Sequence, residues 1–115
     1  MRKKNYKGRC EKVSVSKSKD VCRLYSEIQK KYLGMLEENT EIQEIRCNVF
    51  LDGLEEGAYT SDFVCTKTGN HLMVRECVER KHLTKPLTDK LLDASWAYWL
   101  GLGVEDWGIV IDEEK

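Results

Sequence analysis

The chain has 115 residues, 41% of them hydrophobic and 34% charged, with a net charge of −1. That length suits one domain built as about two packed layers around one core, and that balance excludes a disordered chain. No apolar run approaches the roughly 20 residues that a membrane-crossing helix needs; Met1-Arg2-Lys3-Lys4 opens a charged arm with no apolar segment behind it, so no export signal is visible and a cytoplasmic location is expected.

The charge is unevenly placed. Residues 1–20 carry eight Lys or Arg against two acids, and the remainder carries eleven against eighteen. Residues 1–16 have no steady hydrophobic period and read as a basic, mostly extended arm, leaving 17–115 as a single domain. Lys3, Lys4, Lys7, Arg9 and Lys12 are candidate contacts to nucleic-acid phosphates; a solvated tail is the plain alternative.

From about Lys17 a helical period sets in. Val21, Tyr25, Ile28, Tyr32 and Met35 recur every three or four positions, Leu24 and Leu36 widen the stripe, and Glu37-Glu38-Asn39 ends it. Gln29 lies at the edge of that stripe. Ile45, Cys47, Val49 and Leu51 then alternate as a half-buried strand, and Asp52-Gly53 begins a connection lengthened by Glu55-Glu56-Gly57. Two strands follow in Tyr59 to Arg80, joined by a tight turn at Thr68-Gly69-Asn70, where Gly and Asn tolerate positive φ. Pro86 sits in the first turn of a second helix, where its missing amide hydrogen costs little. Its stripe reads Leu87, Leu91, Ala94, Tyr98 and Leu102, with Leu92, Trp96 and Trp99 beside it, and Gly101 and Gly103 stop it. Trp107-Gly108-Ile109-Val110-Ile111 reads as a buried strand.

Alternation puts Leu72, Val74, Glu76 and Val78 on one inward face. An acid there is costly unless something compensates its charge. Two readings stand: Asp62 on the neighbouring strand shares a divalent metal with Glu76, or Glu76 is a half-exposed acid pairing with Arg75, Arg80 or Lys67. The five cysteines are odd in number and none has Cys-x-x-Cys spacing, so a disulfide framework is not expected; a zinc site would need them clustered in space, and small buried hydrophobes account for Cys47, Cys65 and Cys77 in their strands. Trp96, Tyr98, Trp99 and Trp107 read as core. His71 and His82 stand in no nucleophile motif, and no glycine-rich phosphate loop is present.

Three stretches in this order resemble the N-terminal endonuclease domain of the TnsA transposition proteins, within the PD-(D/E)XK, restriction-endonuclease-like fold. They are QKKYLGMLEENTEIQEIRCNV, YTSDFVCTKTGNHLMVREC and LTKPLTDKLLDASWAYWLGLGVEDWGIVID, together covering roughly residues 20–112. The resemblance implies an α/β fold with an α-β-β-β-α-β core, a mixed sheet flanked by helices. It implies phosphodiester hydrolysis with Mg²⁺ or Mn²⁺, in which hard oxygen ligands hold an ion that activates water. Asp62 falls on the family's metal-binding Asp, and Glu76 on the acid of the (D/E)XK element. Val78 falls where the Lys belongs and cannot replace it; Gln29 falls where a helix Glu is expected and brings no charge. Ser61 replaces a proline, a change expected to matter little. Arg80, Lys81 and Lys85 near the strand end are candidates to supply a cation or to contact DNA.

The resemblance thus implies a metal-dependent DNA endonuclease or nickase of a mobile element or phage, with Asp62 and Glu76 as metal ligands and Gln29 positioning water. A rival is a catalytically silent nuclease fold that binds DNA or a protein partner in a transposon, phage or defence complex. A third is an assembly protein whose acidic body meets a protein. No membrane contact is expected, and the oligomeric state is left open, a dimer included.

Overall fold

The computed structural model describes residues 11–54 and 59–112. In chain order the elements are β1 (Glu11–Val13), β2 (Cys22–Leu24), α1 (Glu27–Glu38), β3 (Ile42–Phe50), β4 (Thr60–Lys67), β5 (His71–Val78), a short 3-10 turn at Arg80–His82, α2 (Pro86–Gly101) and β6 (Asp106–Ile111). The protein is an α/β fold with a mixed four-stranded sheet in the order β3-β4-β5-β6 and a separate β1-β2 pair. β4 runs antiparallel to both β3 and β5, and β6 is parallel to β5. A parallel return requires a crossover, and α2 supplies it. No helix among the described residues is long and apolar enough to cross a membrane.

The two helices serve different faces. On one, Ile28, Leu33 and Leu36 of α1 pack with Ile45, Phe63, Cys65, Met73 and Cys77. On the other, Leu91 and Trp99 of α2 pack with Leu51, Val64 and Val74. Alternation along β4 and β5 deals successive residues to these two cores.

The helix expected from about Lys17 begins later, at Glu27. Residues 21–24 alternate instead: Cys22 and Leu24 are buried while Val21 and Arg23 are exposed, so the stretch is a strand that pairs with residues 11–13. Ser26 then caps α1, its Oγ accepting from the Gln29 amide at 3.3 Å. At the other end Lys17 Nζ donates to the Leu36 and Asn39 carbonyls at 3.3 and 2.7 Å, satisfying orphan acceptors at the negative pole of the helix.

The hairpin forms as its turn chemistry demands, with Gly69 at φ 85° and Asn70 at φ 65°. Pro86 opens α2. The buried face of α2 is Leu91, Leu92, Ala94, Ser95 and Trp99, while Leu87 and Leu102 are exposed. The stripe is therefore rotated from the one read in the sequence and centred on a serine. β6 is also less enclosed than expected: it is an edge strand, and Ile109 and Ile111 are exposed.

Candidate functional site

In β4 and β5 the register Phe63↔Arg75 sets Asp62 opposite Glu76. Regular alternation would turn both side chains to the α2 face. The structure departs from that at one place. Asn48 takes φ 56°, and the β3–β4 ladder omits Asn48 and Asp62 between Cys47↔Phe63 and Val49↔Ser61. Cys47 packs in the α1-side core and Val49 in the α2-side core, so the alternation slips by one residue at this point. Asp62 consequently shares the α1 face with Phe63, and Ser61 faces α2.

Asp62 meets Gln29 there. Gln29 Nε2 donates to Asp62 Oδ1 at 2.8 Å, Cys77 N donates to Asp62 Oδ2 at 2.6 Å, and the Gln29 carbonyl oxygen accepts from Tyr25 N at 2.6 Å. Glu76 stays on the α2 face. Its Oε2 accepts from Ser61 Oγ at 2.5 Å and Ser95 Oγ at 2.7 Å, and its Oε1 from Tyr59 OH at 3.0 Å and Asp62 N at 3.1 Å. Both serines are held in turn by indoles: Trp99 Nε1 donates to Ser61 Oγ at 2.9 Å and Trp107 Nε1 to Ser95 Oγ at 3.0 Å. Exposure is 2% for Gln29, 1% for Asp62 and 0% for Glu76, Ser61 and Ser95. Buried polar groups are tolerable when satisfied in this way.

The structure thus brings Asp62 and Gln29 together and turns Glu76 to the opposite face. What compensates Glu76 is a set of hydroxyls and an amide. Ser61, expected to matter little, is a buried partner of Glu76; a proline at that position would remove the hydroxyl. Tyr59, Ser95, Trp99 and Trp107 complete the cluster and were not singled out as polar partners. The signal for them was two serines at strand and helix positions otherwise fit for apolar residues. Val78 is buried and follows Glu76 by two on β5.

A hydrated Mg²⁺ asks for near-octahedral oxygen ligands. Here N–H and O–H donors are aimed at the carboxyl oxygens, and the two carboxyl groups face different helices. Among the described residues no group of three or more His, Cys, Asp or Glu side chains could hold a metal.

The candidate cations are dispersed. Lys12 is exposed on β1; Arg80 and Lys81 are exposed in the turn after β5, and Lys85 precedes α2. Arg80 is engaged locally: its amide donates to Asp112 Oδ1 at 2.6 Å, which holds that carboxyl below its ordinary pKa, and its guanidinium reaches the Asp112 carbonyl at 3.1 Å. Lys3, Lys4, Lys7 and Arg9 lie outside the described residues. Arg75 leaves the hairpin sideways to Asp106, its Nη2 at 2.8 Å from Oδ1, while Lys67 Nζ lies 2.5 Å from Oδ2. Burial alone would raise the Asp106 pKa, but these hydrogen bonds and charges hold it below the ordinary carboxylate value.

No protein-family model matches the chain, and a search of curated proteins found no match.

Proposed function

We propose that this chain is a catalytically silent, restriction-endonuclease-like module that acts by binding DNA through its basic arm. The element order α1-β3-β4-β5-α2-β6 and the sheet order β3-β4-β5-β6 support the fold part of this reading. The observation that carries the silent part is the 2.8 Å hydrogen bond from the Gln29 amide to Asp62, with Glu76 saturated on the opposite face. The positions that carry ligands in such nucleases have become interior hydrogen-bonding groups. Binding rests on the excess of cations in residues 1–20, joined by Lys81 and Lys85.

The test has two arms. Supercoiled plasmid with the protein and Mg²⁺ or Mn²⁺ should stay uncut, and calorimetry should show no Mg²⁺ binding. Duplex DNA should bind with a strong salt dependence, and replacing Lys3, Lys4, Lys7, Arg9 and Lys12 by alanine should flatten the slope of log K against log salt by about four. Nicking that disappears in both Asp62→Ala and Glu76→Ala would sink the silent reading, and DNA affinity unchanged by the five substitutions would sink the binding one.

One observation favours a second reading, a module that docks a protein partner within a mobile-element or phage complex. Trp96 is half exposed and lies against Trp107 with ring centroids 6.4 Å apart. Leu100, one turn on, and Ile109 and Ile111 on edge strand β6 are exposed beside them. Apolar rows on an edge strand are a recognised contact surface.

A further inference from the structure

The N-terminal β1-β2 pair joins the main sheet along a short seam. Asn48 Nδ2 donates to the Arg23 carbonyl at 2.8 Å. One residue away on each strand, Cys22 Sγ and Cys47 Sγ are 2.8 Å apart. That is closer than two unbonded sulfurs ordinarily pack. It is also too close for a shared metal: two thiolates on a tetrahedral zinc, each about 2.3 Å from the ion, stand roughly 3.8 Å apart. Sequence gave no hint of this meeting, since α1 lies between the two residues.

We propose that Cys22 and Cys47 are a reversible thiol–disulfide pair, and that its oxidation pins the N-terminal hairpin, and with it the root of the basic arm, to β3. Access is one-sided. Cys22 is fully buried, whereas Cys47 is partly exposed at an open groove of about 610 Å³ lined also by Asp20, Arg23, Tyr25 and Asn48. The oxidant is a low-molecular-weight disulfide such as oxidised glutathione. The Cys47 thiolate attacks one of its sulfurs and releases one glutathione thiolate. The Cys22 thiolate then attacks Cys47 Sγ in the mixed disulfide and releases the second. Two protein thiols lose two electrons and two protons in total, and the glutathione disulfide becomes two thiols. Burial and the adjacent Cys22 thiol push the Cys47 pKa up, so the first attack quickens as pH rises. The remaining described cysteines serve as internal controls: Cys65 and Cys77 are buried, whereas Cys47 is partly exposed.

The experiment equilibrates the full chain with mixtures of oxidised and reduced glutathione, quenches with acid, and maps cysteine-linked peptides by mass spectrometry. The expected product is a Cys22–Cys47 linked peptide that vanishes with excess reductant. The disulfide-bonded protein should unfold about 10 °C higher than the reduced one, since the bond closes the loop around α1. Cys22→Ser should trap the glutathione adduct on Cys47, and Cys47→Ser should leave Cys22 unmodified. Linkage of Cys47 to Cys10, Cys65 or Cys77 instead, or no linked peptide at an oxidising ratio that glutathionylates Cys10, overturns the proposal without recourse to either variant.

Discussion

Replacing Glu76 by alanine distinguishes an interior hydrogen-bonding acid from a ligand that waits for a cation. The side chain accepts hydrogen bonds from Ser61, Ser95, Tyr59 and the Asp62 amide, at 2.5, 2.7, 3.0 and 3.1 Å. The two serine hydroxyls have partial recourse to each other, with oxygens 3.5 Å apart. Tyr59 OH and the Asp62 amide lose this acceptor, and a buried donor left unsatisfied costs about 1–3 kcal/mol. The void left by truncation adds about 1 kcal/mol at about 24 cal/mol per Å³. The sum is about 4 kcal/mol, roughly a quarter or more of the stability of a typical domain. For a chain of this length that lowers the unfolding midpoint by about 15 °C. Glu76→Gln keeps the oxygen facing Tyr59 and the amide but turns N–H groups on the two hydroxyls, and should cost about 1–2 kcal/mol. Urea or thermal unfolding in EDTA measures both. A metal ligand behaves oppositely, since functional acids commonly cost stability and their removal restores it. A Glu76→Ala protein as stable as the parent, or more so, would refute the hydrogen-bond account.

Other substitutions probe the same geometry. Gln29→Glu sets a second buried carboxyl 2.8 Å from Asp62 Oδ1; it should cost about 2–4 kcal/mol at neutral pH and recover in acid, because a shared site raises a folded pKa above its unfolded value and such a group favours folding as pH falls. Val78→Lys, alone or with Gln29→Glu, should lower the urea midpoint and leave plasmid uncut, since the new ammonium enters the buried face across the sheet from Asp62; cleavage by the double variant would overturn the assignment of faces. Asn48→Val places a β-branched residue at φ 56° and removes the bond to Arg23, and should cost about 2 kcal/mol or more by chemical denaturation. Asp106→Asn should cost about 0.5–1 kcal/mol at neutral pH, a modest value because the pair is partly solvated. Asp106 titrates below its ordinary value when folded, so the parent's advantage is present above the unfolded carboxylate pKa and fades as pH falls through the folded one; an advantage that persists in strong acid would contradict the pairing.

Much of the architecture was legible because local chemistry and packing agree there. Gly69 and Asn70 define the turn, Pro86 marks the start of α2, and the apolar alternation of β5 matches the two cores. Legibility failed where a polar group overrides the apolar count. Helical spacing from Val21 to Tyr25 masked a strand whose alternation is carried by Cys22 and Leu24. The α2 stripe was read from leucines, but Ser95 centres the buried face because its hydroxyl reaches Glu76. Asp62 and Glu76 were both singled out, Glu76 as an acid on an inward face; their separation was not, because it depends on the conformation of Asn48 on a third strand.

That separation also explains how both acids persist inside the sheet. Cross-strand partners on one buried face would place two carboxyl groups side by side, an arrangement that is destabilising unless a cation lies between them. A nuclease meets that condition with its metal. Here the slip at Asn48 and Asp62 keeps the two carboxyl groups apart: each acid reaches a different helix and finds neutral donors there, an amide of Gln29 for one and hydroxyls backed by indoles for the other. Val78 and Gln29 then follow from the same arrangement. A lysine at 78 would point into the α2 face with Asp62 beyond its reach, and a glutamate at 29 would restore the repulsion that the slip removes. Val78 and Gln29, departures from the motif that the sequence resembles, are in the folded chain buried groups that suit the arrangement around the two acids.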